Sequence, residues 1–138
     1  MTVETWMLRL TALTLALSLP FTAHASSLKE YELTKMLQSV AQESSVGTPR
    51  AINADILDQG YTVEGHTLIN HLSVRPRHAA QMRNNLDAVR SQLGKSICSN
   101  GGFHKLLNEG AELRYEFTEY KTNKPIVRET FDKADCGQ

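Results

Sequence analysis

Residues 111–120, AELRYEFTEY, alternate without a break. On an extended chain Leu113, Tyr115 and Phe117 fall on one side, and Arg114, Glu116 and Thr118 on the other. A strand of this kind has one face for a core and one for water. It needs neighbouring strands to satisfy its backbone and a second layer to cover its apolar side. The rest of the chain has to supply both.

Leu28–Ser45 supplies part of that layer as an amphipathic helix. Leu33, Met36, Leu37, Val40 and Ala41 recur at spacings of three and four. Ser26 or Ser27 is placed to cap it, with Glu30 at the capping-box offset from Ser27, and Gly47 and Pro49 stop it. Arg50–Asp58 reads as a strand and Asp58-Gln59-Gly60 as a turn. Tyr61–Val74 reads as a second strand, with Leu68, Leu72 and Val74 on one face and Val63, Ile69 and His71 on the other. Gly65 marks a bulge, and Asn70 breaks the apolar run on the Leu68 face.

Pro76 opens a helix in which Ala79, Met82, Leu86, Val89, Leu93 and Ile97 run at helical period to Cys98. Ser99-Asn100-Gly101-Gly102 interrupts the chain, and Phe103–Asn108 forms a short helix closed by Gly110. Lys121–Lys124 is a hairpin loop, and Pro125 enters the last strand. The order is α-β-β-α-α-β-β. That order implies an α+β domain: an antiparallel sheet with helices packed on one side.

The start of the chain is an address. Arg9 precedes the uncharged stretch Leu10–Leu19, Pro20 breaks it, and Ala23-His24-Ala25 offers small residues to a signal peptidase. Residues 1–25 read as a cleaved signal peptide and residues 26–138 as a single domain. The apolar stretch is shorter than the roughly 20 residues that span a bilayer. No Cys stands at the cut to carry a lipid, so no stable membrane anchor is expected after cleavage. The protein is expected to be exported, to the periplasm or the medium.

Composition fits one small domain. The chain has 138 residues, of which 41% are hydrophobic, with 15 basic and 15 acidic side chains and a formal net charge of zero. A neutral balance argues against non-specific binding to nucleic acid or to anionic membrane, which requires a basic surplus.

Cys98 and Cys136 both lie in the exported part, where an oxidising compartment favours pairing. Closing that loop is worth about 4 kcal/mol in the chain-entropy model. A zinc site would need further ligands at close spacing, and a nucleophilic thiol would need to stay reduced.

Little else carries chemistry. His66, His71, His78 and His104 match no HxH or HExxH spacing, so neither a metal nor another cofactor is expected. There is no GxSxG, although a Ser-His-Asp set is recognised by geometry and sequence alone does not exclude one. Glu112, Glu116 and Glu119 cluster on the alternating strand, where a solvated charged face is the common cause. Ser99–Gly102 reads as a plain turn. The protein is expected not to be an enzyme.

The exception to this plainness is a locally basic run. Arg75, Arg77, Arg83 and Arg90, with His78, enter and follow the second helix, and Asp87 is the sole acid between Arg75 and Lys105. A helix that buries one face exposes the other, which accounts for such charge without a partner. As a binding surface, Arg75, Arg77, His78 and Arg83 are the candidates, and the partner would be a protein of the host or the cell envelope.

The stretch from Val89 to Cys136 carries a further signal: a helix ending in Cys98, the unit FHKLLNEGAELRYEFTE, a turn, and a strand ending Asp135-Cys136. With Leu107, Gly110 and Tyr115, it resembles the small secreted quorum-sensing-regulated virulence factor family of Gram-negative bacteria. It is also similar to the soluble domain of the AspS/GspS-type pilotins of type II secretion. The resemblance implies an α+β domain, a helix-to-terminus disulfide, export, and a non-enzymatic role in virulence or partner binding. Pilotins are acylated at an N-terminal Cys. Here Ala25-Ser26 stands in its place, which favours the soluble secreted family.

Overall fold

The computed structural model describes residues 22–137, with side chains from Leu28 onward. The expected leader, residues 1–25, lies outside them save for residues 22–25. The elements are α1 (Thr22–Ser44), β1 (Arg50–Ala51), β2 (Ile56–Glu64), β3 (Thr67–Val74), α2 (Pro76–Arg83), α3 (Leu86–Ser99), α4 (Gly101–Asn108), β4 (Glu112–Glu119) and β5 (Pro125–Phe131). A 3-10 turn, Lys133–Cys136, follows β5. The five strands form one sheet in the order β1-β2-β3-β4-β5.

The α+β architecture is as expected. Two antiparallel pairs, β2–β3 and β4–β5, carry the sheet. They meet through a parallel pair, β3–β4, so the sheet is mixed. The three helices between β3 and β4 carry the chain back to the end of the sheet where β3 began, and parallel pairing follows.

The glycines of the first hairpin exchange the roles expected of them. Gly65, at φ 59°, makes the turn between β2 and β3. Gly60, at φ 104°, sits beside a bulge at Gln59. The expected long strand Tyr61–Val74 is therefore a hairpin, and Asp58-Gln59-Gly60 lies inside β2. Folding at Gly65 sets Val63 opposite Leu68, on the helix side rather than with Ile69 and His71. The expected strand Arg50–Asp58 is split by a loop at 52–55, where Asn53 Oδ1 accepts from the amides of Asp55 and Ile56.

The long second helix also divides. Asn84 and Asn85 stand at the break, where the Asn85 side-chain amide donates to the Gln81 carbonyl. Asn side chains compete for backbone groups in this way and are poor helix formers. The chain starts α1 before Ser26 and Ser27, so neither serine is its cap. Asn100 caps α4, accepting from the Phe103 amide at 3.0 Å, and that helix begins at Gly101.

The helices cover one face of the sheet. Leu33, Leu37 and Ala41 of α1 pack with Leu68, Leu106, Leu107, Leu113 and Phe131. A second cluster joins Ala79 and Met82 of α2 to Leu72, Val74 and Phe117. A row at right angles to the strands runs between them: Tyr61, Asn70, Tyr115 and Glu129 are register partners on successive strands. Asn70 belongs in that core because of the bulge. Its amide donates to Asp58 Oδ1 at 2.9 Å and to the Gly60 carbonyl at 3.2 Å, and Asp58 Oδ1 also accepts from the Gly60 amide. The bulge exposes polar groups inside the protein, and Asn70 answers them.

Cys98 and Cys136 are joined, tying the end of α3 to the chain end. Among the described residues no helix is long and apolar enough to cross a membrane.

Candidate binding surface

The basic run divides into two arginines held by the fold and two that are not. Arg83 Nη1 lies 2.6 Å from Glu119 Oε1, and its other nitrogen donates to the Pro125 carbonyl at 3.1 Å. Arg90 reaches Glu129 at 2.6 Å, Asp135 at 3.2 Å and the Thr130 carbonyl, with its guanidinium over the Phe131 ring. The hydrogen bond that Arg90 donates to Glu129 raises its pKa further, so it is always a cation. Both side chains fasten the helix layer to the sheet.

Arg75 and Arg77 are exposed and make no ion pair or side-chain hydrogen bond among the described residues. Their position follows from the local chain. Arg75 is extended, at φ −64° and ψ 147°, as a residue before proline prefers, and Pro76 starts α2. The Arg75 amide donates to the Asp55 carbonyl at 2.9 Å, which anchors this entry to the 52–55 loop.

Two hollows adjoin it. A cleft of about 340 Å³ opens at the end of the sheet, lined by Ala51, Asp55, Ile56, Leu57, Arg75 and Tyr120. A smaller one of about 200 Å³ lies between α2, α3 and the sheet, lined by Ile56, His78, Met82, Leu93 and Phe117. Ile56 forms part of both. His78 is half-buried and faces the second hollow, while Arg75 faces the first. The structure thus brings Arg75, Arg77 and His78 to one corner and leaves Arg83 bound elsewhere.

Sequence reasoning missed the other wall of the cleft. Tyr120, one step beyond the last residue of β4, lines that wall and is 38% exposed. Lys121 lies 5.8 Å from the Tyr120 ring, and Lys124 closes the same hairpin. The available signal was an aromatic placed just outside the alternating core positions, directly before the KTNK loop.

The remaining candidates for chemistry separate in space. His66 sits at the β2–β3 turn beside Glu109 and the start of α1, His71 is on the helix-free face, and His104 is on α4. Among the described residues no cluster of His, Cys, Asp or Glu is arranged to hold a metal. One arrangement superficially resembles a triad. Thr62 Oγ1 lies 2.6 Å from His71 Nε2, and His71 Nδ1 lies 3.6 Å from Glu116 Oε2. The second distance exceeds a hydrogen bond, and Glu116 is committed to Arg128 at 2.8 Å. The group forms a cross-strand charge row on an open sheet face. Glu119 belongs to Arg83, whose hydrogen bond lowers the carboxyl pKa, and Glu112 lies 3.4 Å from the Thr67 hydroxyl.

Side chains occupy several backbone groups along the sheet edges. Ser45 Oγ accepts from the Tyr61 amide at 2.8 Å and donates to its carbonyl at 3.3 Å. Arg90 and Arg83 take the Thr130 and Pro125 carbonyls of β5. Plugging of this kind hinders another chain from adding a strand, so recognition falls to side chains and hollows.

Solved structures resemble this one. A protein from Pseudomonas aeruginosa, described as a "putative secreted protein", is 68% identical with a TM-score of 0.77, covering 79% of this chain and 96% of that one. EpsS, the pilotin of the Vibrio vulnificus type 2 secretion system, shares the fold at 16% identity and a TM-score of 0.69, over 80% of this chain and 96% of that one. AspS, the type II secretion pilotin of Vibrio cholerae, does so at 17% identity and 0.65, over 81% and 99%. No curated protein matches the chain significantly. One family model spans nearly all of the folded domain, residues 26–137, and the chain belongs to that family, described as "Putative quorum-sensing-regulated virulence factor".

Proposed function

We propose that this member of the family works outside the cytoplasm, in the periplasm or the medium, by binding another protein, and that it catalyses no reaction. The observation that carries the reading is the division among the arginines. Arg83 and Arg90 serve the fold, whereas Arg75 and Arg77 are exposed and unpaired among the described residues, with Arg75 lining one hollow and the neighbouring His78 the other. Exposed, uncommitted arginine next to apolar surface is a common basis of protein recognition. The disulfide suits an oxidising compartment, and the 68% identical relative is described as secreted.

The test is capture from cell envelope and culture supernatant with the exported protein as bait. Arg75→Ala/Arg77→Ala should retain the melting temperature and lose the retained partner. Capture that is unaffected by the double substitution would sink the proposed surface.

A second reading is a pilotin-like or chaperone-like module that grips a helix. The apolar hollow lined by Met82, Leu93 and Phe117, together with the likeness in fold to pilotins, favours it. Against it, the side of α1 that faces the sheet is filled by the core residues Leu33, Leu37 and Ala41, and Ser26 occupies the place of a lipid-bearing Cys. Recovery of an outer-membrane secretion component as partner would promote this reading over the first.

A further inference from the structure

We propose that Asn100 is a site of spontaneous deamidation that the cap of α4 holds shut. Among the asparagines of the chain, Asn100 alone is followed by glycine. In an Asn-Gly pair the main-chain nitrogen of the glycine attacks the side-chain carbon Cγ of the asparagine, since no Cβ on the glycine obstructs the approach. The helix does not consume that nitrogen, because the first N–H groups of a helix have no partner within it. Asn100 and Gly101 are both exposed, and a Cβ placed on Gly101 would meet nothing within 4 Å, so water and base reach the pair. The reaction balances as an amide hydrolysis. The Gly101 nitrogen gives up its proton and bonds to Cγ, and the Asn100 side-chain nitrogen leaves as ammonia, closing a succinimide ring. Water then opens the ring. Addition at Cγ yields aspartate. Addition at the main-chain carbonyl yields isoaspartate, in which the backbone runs through the side chain.

The folded chain opposes the first step. Ring closure needs the Gly101 nitrogen on the same side of the Cα–C bond as Cβ of Asn100. Asn100 stands at φ −91° and ψ 113°, which turns that nitrogen away from Cβ. Its Oδ1 accepts from the Phe103 amide at 3.0 Å, and its carbonyl accepts from the His104 amide at 2.9 Å. Rotation about the Cα–C bond breaks both contacts and unwinds the first turn of α4, a helix whose Leu106 and Leu107 are buried in the core. Attack therefore waits on local opening of α4. The two products leave different helices. Aspartate keeps an acceptor for the cap and adds a negative charge that suits a helix N-terminus. Isoaspartate lengthens the backbone and turns the carbonyl that held His104 into a free carboxylate, so α4 loses its start.

The test follows the exported protein in mildly alkaline buffer by mass-spectrometric peptide mapping, with an isoaspartate-specific methyltransferase to count isoaspartate. One portion is kept native, and one is unfolded in urea with the disulfide intact. In urea, Asn100 should convert ahead of every other asparagine, and Gly101→Ala should slow that conversion. The native protein should convert more slowly by roughly tenfold or more, because each attack requires α4 to open. Asn100→Asp should keep the wild-type melting temperature, whereas protein aged to isoaspartate at this position should melt lower. No preferential conversion of Asn100 in the unfolded chain would overturn the site. Equal rates in native and unfolded protein would overturn the hold by the cap.

Discussion

Arg83 Nη1 and Glu119 Oε1 meet at 2.6 Å and join α2 to the end of β4. The contact removes Arg83 from the free surface and makes it a fastener. Arg83→Ala should lower the melting temperature by a few degrees and leave partner capture intact, the reverse of the pattern expected for Arg75 and Arg77. The hydrogen bond from Arg83 lowers the Glu119 pKa in the folded state. A carboxyl with a depressed folded pKa stabilises above its unfolded pKa, and that contribution is lost as pH falls through the folded value. The gap in melting temperature between wild type and Arg83→Ala should thus be full at neutral pH and close in acid. A gap that is independent of pH would show that packing of the Arg83 stem, rather than charge, holds the joint.

The contrast between these arginines shows what the sequence can reveal here. The strand of Leu113, Tyr115 and Phe117 was legible because its period is local, and Cys98–Cys136 because compartment and count allow one pairing. The exchanged roles of Gly60 and Gly65 were not, because a glycine suits a turn or a bulge equally and the pairing register decides between them. Arg75 and Arg83 are the same residue eight positions apart, and only the fold sets Glu119 beside one of them. Tyr120 and Ile56 come together through tertiary structure, so no local pattern could join them to Arg75.

Gly60 and Gly65 should respond differently to alanine. A Cβ at Gly60 would lie 3.1 Å from both Ser45 Oγ and Thr48 Oγ1, at a φ of +104°. It would also press on the serine that plugs Tyr61. A Cβ at Gly65 meets nothing within 4 Å, although φ is +59°. Gly65→Ala should cost about 1 kcal/mol for the left-handed backbone alone, and Gly60→Ala about 2–4 kcal/mol because crowding adds to strain. Urea unfolding of the two variants checks the order. Equal costs would mean that Ser45 and Thr48 yield freely.

Tyr115 should make the protein sensitive to alkali. Burial, with a smaller contribution from Tyr61, pushes its pKa up to about 12. The phenol is neutral in the core, whereas in the unfolded chain it ionises near 10. Its stabilising effect is complete below the unfolded value and is lost as pH rises through the folded one. Melting temperature should fall between pH 10 and 12, and Tyr115→Phe should flatten that fall because the ring remains while the ionisable group goes. An unchanged slope in the variant would assign alkaline unfolding to other groups.

The chain end is held twice, by the Cys98–Cys136 bond and by Arg90, which reaches Asp135 and Glu129 and covers Phe131. The sequence separation of 38 puts the disulfide at about 4 kcal/mol in the chain-entropy model. For a domain of this size, that corresponds to a loss of roughly 10–20 °C in melting temperature. Cys98→Ser/Cys136→Ser should show that loss and still fold, with the terminal turn docked through Asp135. The capping box of that turn is internal, since Asp132 Oδ1 accepts from the Ala134 amide at 2.9 Å and Asp135 Oδ2 from the Asp132 amide at 2.8 Å. Adding Arg90→Ala should then release residues 132–137, seen as rapid amide exchange confined to that segment. If exchange there is already rapid in the cysteine variant alone, the disulfide is the sole clasp and Arg90 serves β5 only.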